Sequence, residues 1–229
     1  MAKSPSETLE ARRLRAAAAS GGASIDALYD RAVAWLRTVP AGGRVLDYGA
    51  GTGSLSRLLL ETQRFDAITG ADLMQRPSGL PGAIEWLAQD LNQPLAMPDC
   101  NVDVLLSVEV IEHLENPRAV ARDWFRLLKP GGRLFFTTPN ADSWRSLVTL
   151  ALKGHHQEFT DENYPAHITA LVGTDLRRIL AEAGFEAIAF DYALTSRLYG
   201  RVTWATLLPW LKSGRRTGKH VMITARKPG

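Results

Sequence analysis

Cysteine is almost absent from this chain of 229 residues, with Cys100 as its one thiol. A single thiol excludes an internal disulfide framework and a cysteine-rich zinc site. No run of eighteen or more apolar residues occurs, so no membrane-spanning helix is expected. The N-terminus lacks the apolar core of a secretory signal, and Glu7 and Glu10 argue against reading its Arg- and Ala-rich stretch as a transit peptide. The expectation is a cytoplasmic protein, with a peripheral position at the inner face of a membrane as the variant. A further absence is local. No acid follows Asp191, so residues 195–229 carry eight basic side chains and no carboxylate, against 19 basic and 24 acidic residues upstream. An asymmetry of that size points to an anionic contact for the C-terminal segment, or else to a solvated basic edge.

What is present has the rhythm of an α/β fold. Arg44-Val45-Leu46-Asp47-Tyr48-Gly49-Ala50-Gly51-Thr52-Gly53 is a short apolar strand, an acid and a triple-glycine turn, and a helix follows it over 54–61. Strands are predicted over 67–71, 84–88, 102–107 and 133–138, with two more over 185–192 and 220–226. Between them, Asn116-Pro117 caps a helix whose Val120, Trp124, Leu127 and Leu128 follow helical spacing, and Lys129-Pro130-Gly131-Gly132 stops it. Gly184 closes a helix over 174–183. Ahead of the glycine turn, a capping box at Ser4-Pro5-Ser6-Glu7 starts one helix. A second begins near Ser24 with Ile25, Leu28, Val33 and Leu36 as its buried stripe. The expected fold is a Rossmann-like, seven-stranded, mostly parallel sheet with helices on both faces and an antiparallel last strand. Its expected division is N-terminal helices over 1–40 and one catalytic domain over 41–229, with a substrate-cover insertion at 141–167 and a basic aromatic segment at 195–219.

In an open α/β sheet a ligand sits outside the carboxyl ends of the strands. Glycine there lets the backbone bend and approach it closely. A pyrophosphate loop reads G-x-G-x-x-G, but here the third glycine comes one position early and Asp47 precedes the first by two. An anion at that place repels pyrophosphate and suits an ammonium group or ribose hydroxyls. Asp72 falls where a ribose-binding carboxylate would end the second strand, and its two oxygens can accept from both hydroxyls. Asp90 and Leu91 are placed to meet an adenine amine and ring face.

These segments resemble the class I S-adenosylmethionine-dependent methyltransferases. The resemblance runs from about Arg44 to Asn140 and rests on the Asp47–Gly53 loop, on Asp72, on Ala88-Gln89-Asp90-Leu91, on Ser107-Val108-Glu109-Val110-Ile111-Glu112-His113, and on Leu127–Gly132. It implies S-adenosyl-L-methionine as cofactor, held by Asp47, Gly49, Gly51, Asp72, Leu73, Asp90, Leu91, Ser107 and Val108. The pattern is nearest to the lipid-quinone O-methyltransferases and is shared by the 3′-terminal RNA 2′-O-methyltransferases. In both, the resemblance implies that Glu109, Glu112 and His113 can bind a divalent metal such as Mg²⁺.

Transfer from a sulfonium to a hydroxyl needs position and a general base, for which histidine suits. His113, His155, His156 and His167 are the candidates, with His113 and His167 taken as catalytic. Trp144, Leu147, Val148, Leu150, Ala151 and Leu152 read as a lid packed on the core, while the resemblance to the quinone enzymes implies an amphipathic insertion that touches membrane. Tyr199, Trp204, Leu207, Leu208, Trp210 and Leu211 beside Arg215, Arg216 and Lys219 suit a connector helix, an anionic membrane or an apolar substrate with an anionic tail. The expected function is methyl transfer to a small-molecule or lipid-like acceptor at a hydroxyl oxygen. The alternatives are an RNA 2′-O-methyltransferase, a dinucleotide-dependent oxidoreductase and a non-catalytic cofactor-binding module. The acidic upstream body argues against a nucleic-acid partner.

Overall fold

A computed structural model describes residues 8–19, 21–195, 197–199, 202–203 and 214–229. The capping box at Ser4–Glu7 and the aromatic residues Trp204 and Trp210 lie outside the described residues. Two helices, α1 (Leu9–Ala19) and α2 (Asp26–Leu36), precede the sheet. The chain then alternates through β1 (Arg44–Tyr48), α3 (Ser54–Glu61), β2 (Ala67–Asp72), β3 (Ile84–Ala88), β4 (Val102–Val108), α4 (Pro117–Leu127) and β5 (Leu128–Pro139). It continues through α5 (Trp144–Lys153), α6 (Gly173–Ala183), β6 (Glu186–Thr195) and β7 (Gly218–Arg226). A small antiparallel ribbon pairs Arg197–Tyr199 with Val202–Thr203.

The sheet order is β3-β2-β1-β4-β5-β7-β6. The first five strands pair in parallel, and β7 runs antiparallel to both β5 and β6. The order reverses between β1 and β4, which puts the topological switch point at their carboxyl ends. Register carries the acids to that edge: Asp47 pairs with Gly70 and Leu106, and Asp72 with Ala88.

Alternation along β4 explains how one strand serves two cores. Leu105 packs with Trp124, Leu127, Leu176 and Ile179, beneath α4 and α6. Val104, Leu106 and Val108 pack on the other face with Leu28, Leu36, Leu55 and Leu59, beneath α2 and α3. A strand buried on both faces is apolar at both parities, as Val102–Val108 is. Trp124 is fully buried and meets Tyr48 edge-on at 5.8 Å.

Three elements differ from their sequence reading. The buried stripe of α2 is Leu28, Tyr29, Ala32 and Leu36, while Ile25 is exposed, because the helix starts two residues later than Ser24 predicts. Lys129-Pro130-Gly131-Gly132 belongs to β5 as an irregularity between the pairs Val102–Leu128 and Val104–Arg133, since Gly131 at φ 76 turns the strand without ending it. Helix α5 is not packed on the core. It buries only Ser146 and leaves Trp144 50%, Val148 51% and Leu152 80% exposed. Among the described residues no helix is long and apolar enough to cross a membrane.

Candidate active site

The turn after β1 has to reverse direction within a few residues and enter α3. Gly49, Gly51 and Gly53 adopt φ of 84°, 50° and 75°, where a side chain is strained. The backbone N–H groups of Gly49 and Ala50 donate to Ala71 O at 2.8 and 3.0 Å, tying the turn to β2. At Gly51 space is as restrictive as φ: an added Cβ would lie 2.0 Å from Gly22 O. The segment joining α1 to α2 thus lies directly on the turn, with Thr52 N donating to Gly22 O at 2.7 Å.

A cavity of about 520 Å³ opens at the carboxyl ends of the parallel strands. Of the residues expected to hold a cofactor, Gly49, Gly51, Asp72, Leu73, Asp90, Leu91 and Val108 line it. Asp72 accepts from Gly51 N and Met74 N, both at 2.8 Å, so each carboxylate oxygen keeps a lone pair for the cavity. Asp90 accepts from Asn92 N and Asn92 Nδ2 at 3.0 Å and pairs with Arg13 of α1. Arg13 also grips Glu115 through two nitrogens, at 3.1 and 2.8 Å, so its side chain bridges these two acids on the cavity wall. Asp47 and Ser107 are buried behind the wall and do not line it. Asp47 accepts from Ser56 Oγ at 2.6 Å, and burial, helped by the Asp72 charge, pushes its carboxyl up to about 7 against that hydrogen bond.

The polar end of the cavity gathers the histidines. His113 Nδ1 meets Ala166 O at 2.8 Å and His167 Nδ1 meets Glu158 O at 2.6 Å. A carbonyl only accepts, so each Nδ1 carries a proton and Nε2 is the nitrogen left for other contacts. Burial lowers the His113 pKa, which keeps that ring neutral. The two rings stack edge-on at 4.9 Å, and both line the cavity. Glu112 is wholly buried. Its Oε2 accepts from Thr138 Oγ1 at 3.0 Å, its Oε1 has no partner, and burial with the Glu109 charge raises its pKa well above the usual range. Donor atoms of Glu112, His113 and His167 all lie within 4.8 Å of one another.

Glu109 stands apart from that trio. It follows β4 with φ 57° and accepts from Thr137 Oγ1 at 2.7 Å and from His220 Nδ1 at 2.8 Å. Burial is the largest single influence and works to raise its carboxyl, but His220, the Thr137 hydrogen bond and His113 together outweigh it and lower the pKa. His155 and His156 do not line the cavity; His156 Nδ1 bonds Ser146 Oγ at 2.8 Å. The sequence reading did not single out Arg13, Tyr29 or His220, all of which form the cavity wall. In 220–225 the apolar Val221, Ile223 and Ala225 share one parity and His220 falls on the other, so alternation gave no signal for it.

Comparison with known proteins fits this geometry. A family model described as a methyltransferase domain matches residues 14–189. A ubiquinone biosynthesis O-methyltransferase from Idiomarina loihiensis is 28% identical over 176 residues, covering 70% of this chain and 69% of that protein. One from Pseudomonas fluorescens is 36% identical over 110 residues, 44% of this chain and 46% of its own length, so that match spans about half of the curated relative. A solved structure of an S-adenosylmethionine-dependent methyltransferase from Archaeoglobus fulgidus superposes with a TM-score of 0.64 at 18% identity. It covers 91% of this chain and 96% of that one, a likeness of fold.

Proposed function

Because the chain belongs to the class I S-adenosylmethionine-dependent methyltransferases, we propose that it methylates a hydroxyl oxygen of a lipid-like acceptor of the quinone class. The observation that carries this reading is the neutral His113 ring, locked by Ala166 O and turned to a cavity that the glycine turn and Asp72 also line. The turn and Asp72 fit the cofactor, because Gly49 and Gly51 put no side chain in its way and Asp72 keeps lone pairs for the ribose. Asp90 and Leu91 serve the adenine, while Asp47 and Ser107 support the wall from behind.

Bound S-adenosylmethionine supplies an activated sulfonium methyl, and its transfer to oxygen releases the hydroxyl proton. The chain's part is to hold the hydroxyl at attack distance, which supplies roughly 7–11 kcal/mol of the barrier. His113 Nε2 receives the proton, and His167 sets the ring's neighbourhood. The apolar lining from Leu73, Leu91 and Val108 keeps the path dry.

A second reading is favoured by the unpartnered Glu112 Oε1. Glu112, His113 and His167 would together hold a divalent cation, which would lower the pKa of the acceptor hydroxyl. Two imidazoles and one carboxylate suit a transition ion better than Mg²⁺. Glu109, bonded to His220 and Thr137, sits outside this donor set. We further propose that α5 rests on an anionic membrane surface through Trp144, Val148 and Leu152, with Arg145 and Lys153 on the same helix.

The test is methyl transfer from labelled S-adenosylmethionine to short-chain alkylated phenols, with and without chelator. Transfer that survives chelator supports His113 as the base. Transfer lost in chelator and restored by Mn²⁺ or Zn²⁺ supports the cation. No transfer in either condition, with intact cofactor binding, removes the hydroxyl reading.

A further inference from the structure

Of the five histidines, His220 is the one facing the cavity that methyl transfer at His113 leaves idle. It sits near the start of β7, paired with Pro139 of β5 and Ala193 of β6, and is 4% exposed. Its Nδ1 is committed to Glu109 Oε2 at 2.8 Å. Glu109 is fixed in turn by Thr137 Oγ1 and by a left-handed backbone that a residue with a side chain holds only when its surroundings enforce it. The ring is therefore oriented, and its remaining nitrogen is the telling atom. His220 Nε2 is buried and has no hydrogen-bond partner, although the residue forms part of the cavity wall. A buried polar atom without a partner calls for one, and the cavity is where a partner could come from.

Topology says which ligand that is. The glycine turn, Asp72 and Asp90 follow β1, β2 and β3, on one side of the switch point. His220 lies beyond β5 on the other side, beside Lys219 and Pro139, which also line the cavity. A nucleoside spanning Gly51 to Asp90 occupies the first half of the sheet. A group reaching His220 belongs to the second molecule, the acceptor. His113 and His220 line the same cavity, and Glu109, which holds His220, precedes His113 by four residues.

We propose that His220, oriented by Glu109, is a specificity-determining residue that binds a second oxygen of the acceptor, next to the hydroxyl held at His113. The assignment rests on the methyltransferase reading and deepens it. Imidazole accepts from a hydroxyl, and imidazolium donates to an ether, carbonyl or phenolate oxygen, so the contact is available in either form. Gripping the acceptor at two points fixes which of its oxygens meets the methyl group. A molecule with one oxygen would be held at His113 alone.

The experiment compares two short-chain alkylated phenols, alike except that one carries a second hydroxyl beside the first. His220→Ala and the gentler His220→Gln are assayed with both, and cofactor affinity is measured by calorimetry. The expected result is a loss of about tenfold in kcat/KM, mostly in KM, for the dihydroxy compound. The monohydroxy compound should change by less than about threefold, with cofactor affinity unchanged. Glu109→Ala should reproduce the loss and Glu109→Gln recover part of it, since a side-chain amide oxygen can still receive the Nδ1 proton. Equal losses for both compounds, or weakened cofactor binding with unchanged acceptor KM, would overturn the assignment while leaving the methyltransferase reading intact. A wild-type protein that binds no S-adenosylmethionine would instead remove that underlying reading.

Discussion

Replacing Gly51 with alanine tests whether the cofactor turn and the N-terminal segment form one packed unit. The new Cβ would start 2.0 Å from Gly22 O and 2.6 Å from Gly22 C, both backbone atoms that cannot rotate away. Relief needs the gap to open towards the 3.4 Å of ordinary contact, which moves the α1–α2 junction and breaks the bond from Thr52 N to Gly22 O. Overpacking costs about 1–3 kcal/mol, the left-handed φ about 1–2, and the lost hydrogen bond about 1. Together these give a destabilisation of roughly 3–6 kcal/mol and a drop in Tm of roughly 10–20 °C for a chain of this size. Gly21→Ala is the control. Its φ is 73°, yet a Cβ there meets nothing within 4 Å, so only the backbone penalty remains, roughly 5 °C. Thermal unfolding of both variants by circular dichroism isolates the collision as their difference. S-adenosylmethionine affinity should fall at least about tenfold in Gly51→Ala only, because Gly51 N also anchors Asp72. If the two variants melt within about two degrees of each other, the packing argument fails.

Three other outcomes are expected. Asp72→Ala should weaken S-adenosylmethionine binding at least about tenfold by calorimetry, with unchanged affinity removing Asp72 from the ribose site. Asp47 holds its proton in the folded state up to about pH 7 but releases it near 3.8 when unfolded, so its contribution to stability declines as pH rises through that window and is level above it. Asp47→Asn abolishes that slope, and its stability relative to wild type should improve by about 2–4 kcal/mol between pH 4 and pH 7 in urea titrations; a constant difference would refute an uncharged Asp47. Sedimentation with vesicles rich in anionic lipid should be lost in Leu152→Glu, since Leu152 is 80% exposed on α5, and equal binding by the variant would clear α5 of that role.

The sheet was legible because its signals are local. A strand buried on both faces is a run of apolar residues, and an acid or glycine at its end marks the edge where ligands sit. Asp72, Asp90 and the glycine turn could be read for the same reason, as each lies within a few residues of its strand. The partner of Glu109 could not be read that way. His220 lies 111 residues further on, in a strand that returns antiparallel between β5 and β6, and only the closed sheet brings the two together. Arg13 escaped notice because a surface-like helix of arginines and alanines has no periodicity that marks one residue as reaching Asp90. Helix α5 misled in the opposite sense. Its apolar spacing suits a core, but burial is decided by what lies opposite, and Trp144, Val148, Leu150 and Leu152 stay exposed.

The segment following α5 is stitched to the turn after β4, at Glu112–Leu114, at four points. Ile168 N and Thr169 N both donate to Glu112 O at 3.0 Å, Thr169 Oγ1 donates to Leu114 O at 2.8 Å, and Ala166 O holds the His113 ring. The same peptide that lines the cavity through Tyr164, Pro165, His167 and Ile168 thus sets the tautomer of His113. Peeling it back would free the His113 ring to turn and carry His167 off with it. Displacing this segment would therefore cost the His113 ring its Nδ1 partner along with the backbone bonds to Glu112.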